Sequence, residues 1–69
     1  MTTTVIHVRF APDGTVFEIG ERPESIDANQ WFAKLSGVAA GAFQALSGGR
    51  GVFRIDRAAL DALKGASLH

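Results

Sequence analysis

The chain has 69 residues, no cysteine, and seven acidic against seven basic side chains. It is long enough for one small domain, which buries only about 60% of its unfolded surface. Without cysteine, disulfides and thiolate metal sites are excluded as supplements to the core, and zero net charge argues against a strongly basic nucleic-acid binder and against an acidic mimic of DNA. The charge is unevenly spread. Residues 1–30 set Arg9 and Arg22 against Asp13, Glu18, Glu21, Glu24 and Asp27, whereas residues 31–69 set Lys34, Arg50, Arg54, Arg57 and Lys64 against Asp56 and Asp61. The start, Met1-Thr-Thr-Thr, carries neither a basic region nor a long apolar run, and no stretch reaches the roughly 20 apolar residues of a membrane span. A cytoplasmic protein is expected.

In chain order, Thr4–Phe10 alternates: Ile6, Val8 and Phe10 fall on one face, Val5, His7 and Arg9 on the other. That is a half-buried strand. Pro12-Asp13-Gly14 supplies turn chemistry, and Thr15–Ile19 returns as the second strand of a hairpin over residues 4–20. A four-residue loop, Ala11–Gly14, sets Phe10 opposite Thr15, Val8 opposite Phe17 and Ile6 opposite Ile19. Directly paired residues share a face, so this register predicts a single apolar face and places His7 across from Glu18.

After the polar connection Gly20–Ser25, Asp27 reads as a helix N-cap. Gln30 completes a capping box and Ile26 staples onto Trp31. The apolar stripe Phe32, Leu35, Val38, Ala39, Ala42, Phe43, Leu46 predicts a long helix over 27–47, ended by Gly48 and Gly49. The alternative is two shorter helices broken near Ser36-Gly37. Arg50–Ile55 predicts a third strand with Phe53 and Ile55 inward, Val52 and Arg54 outward. Asp56 then caps a C-terminal helix (56–65) that Gly65 closes, and the tail 66–69 is expected to fray. The expected fold is a two-layer α+β domain of order ββαβα. Its three-stranded antiparallel sheet has order 2-1-3, with one long and one short helix on one face. The other face carries His7, Arg9, Glu18 and Arg54.

Four very small residues, Ala33, Gly37, Gly41 and Ala45, recur every four positions on the back of the long helix. Interior glycines cost about 1 kcal/mol each against alanine, which predicts close packing of a partner. With Lys34, Ala40 and Gln44 they form the candidate interface, for a homodimer or a foreign protein. Small residues at this spacing admit close backbone approach, though the pattern also suits alanine-rich solvent surface. Arg9, Arg50, Arg54 and Arg57 form a second candidate surface for an anion or acidic partner.

Chemistry is sparsely provided. His7 opposite Glu18 has the makings of a base and its orienter, but no nucleophile adjoins it, and a cross-strand polar pair is the simpler reading. His69, the other histidine, ends the chain. No metal-ligand spacing occurs. Ser47-Gly-Gly-Arg-Gly51 follows a helix and enters a strand, the reverse of a phosphate-cradling loop, and reads as a helix stop and turn. No enzyme, cofactor or metal is expected. Single-strand nucleic-acid binders stack bases on exposed aromatics, whereas all five Phe and Trp31 map to the core in this register.

A small, cysteine-free α+β chain of this kind resembles the proteins encoded by phages and mobile elements, among them type I anti-CRISPR proteins. The resemblance spans the whole chain and rests on class, not on a motif. It implies a non-enzymatic inhibitor that binds a Cas complex and blocks target DNA binding or nuclease recruitment. The alternative is a small dimeric nucleic-acid-binding or regulatory protein using the arginine-bearing sheet face.

Overall fold

The computed structural model describes residues 2–67. The elements are β1 (Thr3–Phe10), β2 (Val16–Ile19), α1 (Ala28–Ala39), a 3-10 turn (Ala40–Ala42), β3 (Phe43–Leu46), β4 (Arg50–Asp56) and α2 (Arg57–Ser67). The α+β class and the antiparallel sheet follow the sequence reading, but the sheet has four strands in the order β2-β1-β4-β3. The expected third strand, now β4, does pair antiparallel with β1, from Thr3 opposite Asp56 to Arg9 opposite Arg50.

The extra strand comes from the C-terminal third of the expected long helix. α1 ends at Ala39, whose φ of −138° and ψ of 34° leave the helical region. After one 3-10 turn the chain runs extended from Phe43 and pairs antiparallel with β4. Gly48 and Gly49, expected to stop a helix, instead turn a hairpin at φ 78° and 71°. Such positive φ is open to glycine at little cost. The break falls at Ala39–Ala40, beyond the Ser36-Gly37 position weighed as an alternative. Gly65 does not end α2, which runs on to Ser67. Ala66 and Ser67 are therefore helical rather than frayed, and the rest of the expected frayed tail, Leu68 and His69, lies outside the described residues.

Local signals at the other boundaries take their expected form. The Gln30 N–H donates to Asp27 Oδ1 at 2.8 Å and the Asp27 N–H to Gln30 Oε1 at 3.1 Å, a complete capping box. At the first turn the Gly14 N–H donates to the Ala11 carbonyl and the Thr15 N–H to Asp13 Oδ1. Asp56 Oδ2 accepts from the Ala58 N–H at the start of α2.

The helices cover one face of the sheet. Ile6, Val8, Val16, Ile19, Trp31, Leu35, Phe53, Ile55 and Leu60 form the core between the layers. Trp31 is fully buried, and its Nε1–H donates to the Gly20 carbonyl at 3.0 Å, so this buried donor is paired.

The β1–β2 register departs from expectation. Arg9 faces Glu18 but Phe10 faces Val16, so Phe17 is an extra residue on β2, a β-bulge. Val16 and Ile19 both turn inward, three apart instead of two, and Phe17 is expelled from the core to 59% exposure. The expectation that every Phe is internal therefore fails at Phe17. His7, expected opposite Glu18, is paired with Val52, and its carbonyl accepts from the Gly20 N–H.

Candidate functional site

The candidate helix ridge does not exist as one surface. Ala33, Lys34 and Gly37 lie exposed on α1, Ala40 and Gly41 lie in the 3-10 turn, and Gln44 and Ala45 lie on β3. A Cβ added at Gly37 or Gly41 would meet nothing within 4 Å. The glycines that suggested a helix back packed on a partner are, in part, the place where the helix stops.

Arg57 also leaves its expected group. At the first turn of α2 it contacts Glu21 Oε1 at 3.2 Å and Asp61 Oδ1 at 3.0 Å, and Lys64 joins Glu21 from the next turn. The Lys64 hydrogen bond, with the two nearby cations, holds the Glu21 carboxyl below its ordinary range against a smaller opposing desolvation. These four charges clasp α2 to the connection after β2 and neutralise one another.

What the fold assembles is the open sheet face. Pleating sends Val5, His7 and Arg9 of β1, Arg50, Val52 and Arg54 of β4, and Gln44 and Leu46 of β3 to the side away from the helices. Glu18 and the bulged Phe17 complete it on β2. Val52 faces outward as expected but is only 4% exposed, because it sits at the sheet centre between His7 and Gln44.

Three arginines thus share a face with Glu18, while Asp56, in phase with them at the end of β4, caps α2. Arg54 Nη1 donates to Gln44 Oε1 at 2.8 Å, Arg50 Nε donates to the Ser47 carbonyl, and Arg9 lies 3.8 Å from Glu18. The Arg9 guanidinium also stands over the Phe17 ring, 5.8 Å from its centroid, within cation–π range. Val5 (46% exposed) and Leu46 (39%) add aliphatic surface. An exposed aromatic, aliphatic side chains and prepositioned arginines, with no lysine among them, form the composition enriched at protein interfaces.

On the opposite layer, Val38, Ile55, Ala59, Ala62, Leu63 and Ala66 line an apolar hollow of about 420 Å³ between α1 and α2. None of these side chains carries a proton-transfer or metal-ligating group. Among the described residues, no three His, Asp or Glu side chains are grouped to hold a metal ion, and no helix is long and apolar enough to cross a membrane.

Sequence reasoning placed Val5, Arg9 and Arg54 on the outer face and grouped Arg50 with them, but it assigned Gln44 to a helix back and missed Phe17 and Leu46. Phe17 carried no local sign of its exposure, since a bulge is a property of the strand pair. Comparison with protein families, with curated proteins and with solved structures finds no match for the chain.

Proposed function

We propose that the chain is a non-enzymatic protein-binding module that docks through its open sheet face on an acidic-rimmed surface of a larger assembly. The observation that carries this reading is the bulged Phe17, 59% exposed beneath Arg9 on the face shared with Arg50, Arg54, Val5 and Leu46. Folding gains little from an exposed phenylalanine, while burial in a partner's pocket makes it an anchor. The resemblance to type I anti-CRISPR proteins nominates the partner: a Cas surveillance complex, whose target DNA binding or nuclease recruitment the docked chain blocks.

The test is target-DNA binding by a panel of type I surveillance complexes, with and without the protein. Inhibition by the wild type, weakened about 30-fold or more by Phe17→Ala and by Arg54→Glu, supports the reading; a loss of about 2 kcal/mol at an anchor corresponds to that factor. Inhibition that both variants retain would remove the sheet face from the account, and a panel left uninhibited would remove the Cas partner.

The Phe17–Arg9 pair also favours a second reading, single-stranded nucleic acid, since a ring under a guanidinium is a stacking platform for a base. Three arginine–phosphate contacts would give a salt dependence of log K near −2 for a single strand, at about −0.7 per contact. Anisotropy of a labelled oligonucleotide at two salt concentrations separates this reading from the first.

A further inference from the structure

We propose that the free edge of β3 pairs with the β3 of a second copy, joining two sheets into one of eight strands. The two edges of the sheet are built differently. On the β2 edge, the Val16 N–H donates to Asn29 Oδ1 at 2.9 Å and Asn29 Nδ2 donates to the Val16 carbonyl at 3.3 Å. A side-chain amide thus occupies the place of a neighbouring strand, and the bulge at Phe17 adds a second obstacle. The β3 edge has neither device. Its sequence, Phe-Gln-Ala-Leu, holds no charge and no proline, three of its four residues are exposed, and no described strand lies beyond it. A flat, uncharged edge of this kind is a template for pairing.

The occupant follows from register and charge. In an antiparallel pair, residues directly opposite share a face. A two-fold axis at Gln44 sets Gln44 against Gln44 of the second copy and Phe43 against Ala45 of the second copy, so both apolar faces fall on one side and both open faces on the other. Shifting by one residue would oppose Phe43 to Gln44 and lose that match. The Phe43 ring leans inward over Gly51, where an added Cβ would come within 2.6 Å of it, and this leaves the small Ala45 at the rim for close approach. Phe10, Phe32 and Phe43 meet edge-on with centroids 5.5 to 6.3 Å apart, and all three are only half-buried on this side of the sheet. A second copy extends the apolar layer beside them. β3 itself brings no charge to the junction. In this register Arg54 lies in line with Arg50 of the second copy, three strand spacings or roughly 14 Å away between backbones, and its guanidinium is held by Gln44 Oε1. The contact is isologous and closes on itself, and it doubles the arginine-bearing face.

Sedimentation equilibrium of the full chain across about 10 to 500 μM is the test, with Ala45→Lys and Phe17→Ala alongside. The expected result is a concentration-dependent dimer, a dissociation constant at least tenfold higher for Ala45→Lys, and no change for Phe17→Ala. Amide exchange at Gln44–Leu46 should slow as wild-type concentration rises, and this readout decides the matter if Ala45→Lys fails to fold. A monomer throughout the range overturns the proposal. So does a dimer that Ala45→Lys leaves intact, or one that Phe17→Ala disrupts.

Discussion

Asn29 and Val16 are joined by two hydrogen bonds, so the first turn of α1 closes the outer edge of β2 as a strand would. Val16 is buried. Replacing Asn29 by alanine therefore strands a buried N–H and carbonyl. Asn29→Ala should lower unfolding free energy by about 1–3 kcal/mol, read as a shift in urea midpoint at unchanged slope.

Glu21 ties α2 to the rest of the fold through Lys64 and Arg57, and its carboxyl titrates below its ordinary value of 4.5. A carboxyl whose folded pKa is lowered contributes stability that is complete above the unfolded value and lost as pH falls through the folded one. Asp13, held low first by the Thr15 hydroxyl and then by its N–H, acts in the same direction. Thermal unfolding should thus show Tm falling between about pH 5 and pH 3. Lys64→Met should flatten that slope and lower Tm at pH 7 while leaving Tm at the acid end almost unchanged.

Two glycines should respond oppositely to alanine. At Gly51 a Cβ would stand 2.6 Å from the Phe43 ring, which Phe10, Phe32 and Phe53 hold from other sides. Gly51→Ala should cost about 1–3 kcal/mol through overpacking. Gly37 lies in the interior of α1 with nothing within 4 Å of a Cβ, so Gly37→Ala should stabilise by about 0.5–1 kcal/mol. Chemical denaturation of the pair checks both signs.

Phe17 should separate folding from function. Its ring is exposed and outside the core cluster, so Phe17→Ala should change stability by no more than about 0.5 kcal/mol. Under the proposed function the same variant loses partner binding. A large drop in Tm would instead make the ring a structural element.

The segment 40–46 explains where sequence reading stopped. Ala39, Ala42, Phe43 and Leu46 keep helical phase, while Phe43 and Ala45 inward with Gln44 and Leu46 outward also suits a strand. Gly48-Gly49 serves equally as a helix stop or a hairpin turn. Both descriptions are consistent locally, and the candidate interface at Ala33, Gly37, Gly41 and Ala45 depended wholly on the first.

By itself the sequence determined what short-range chemistry can enforce. The Asp27–Gln30 box begins α1, Pro12-Asp13-Gly14 turns the first hairpin, and alternation over residues 4–10 and 50–55 selects Ile6, Val8, Phe53 and Ile55 for one core. These signals act within a few residues, so they survive any arrangement of the rest. Tertiary structure alone decided that residues 43–46 pair with β4, that Phe17 is expelled by a bulge, and that Arg57 turns from the open face to Glu21. Each is settled by partners distant in the chain, where strand pairing and burial outweigh local preferences of about 1 kcal/mol or less per residue.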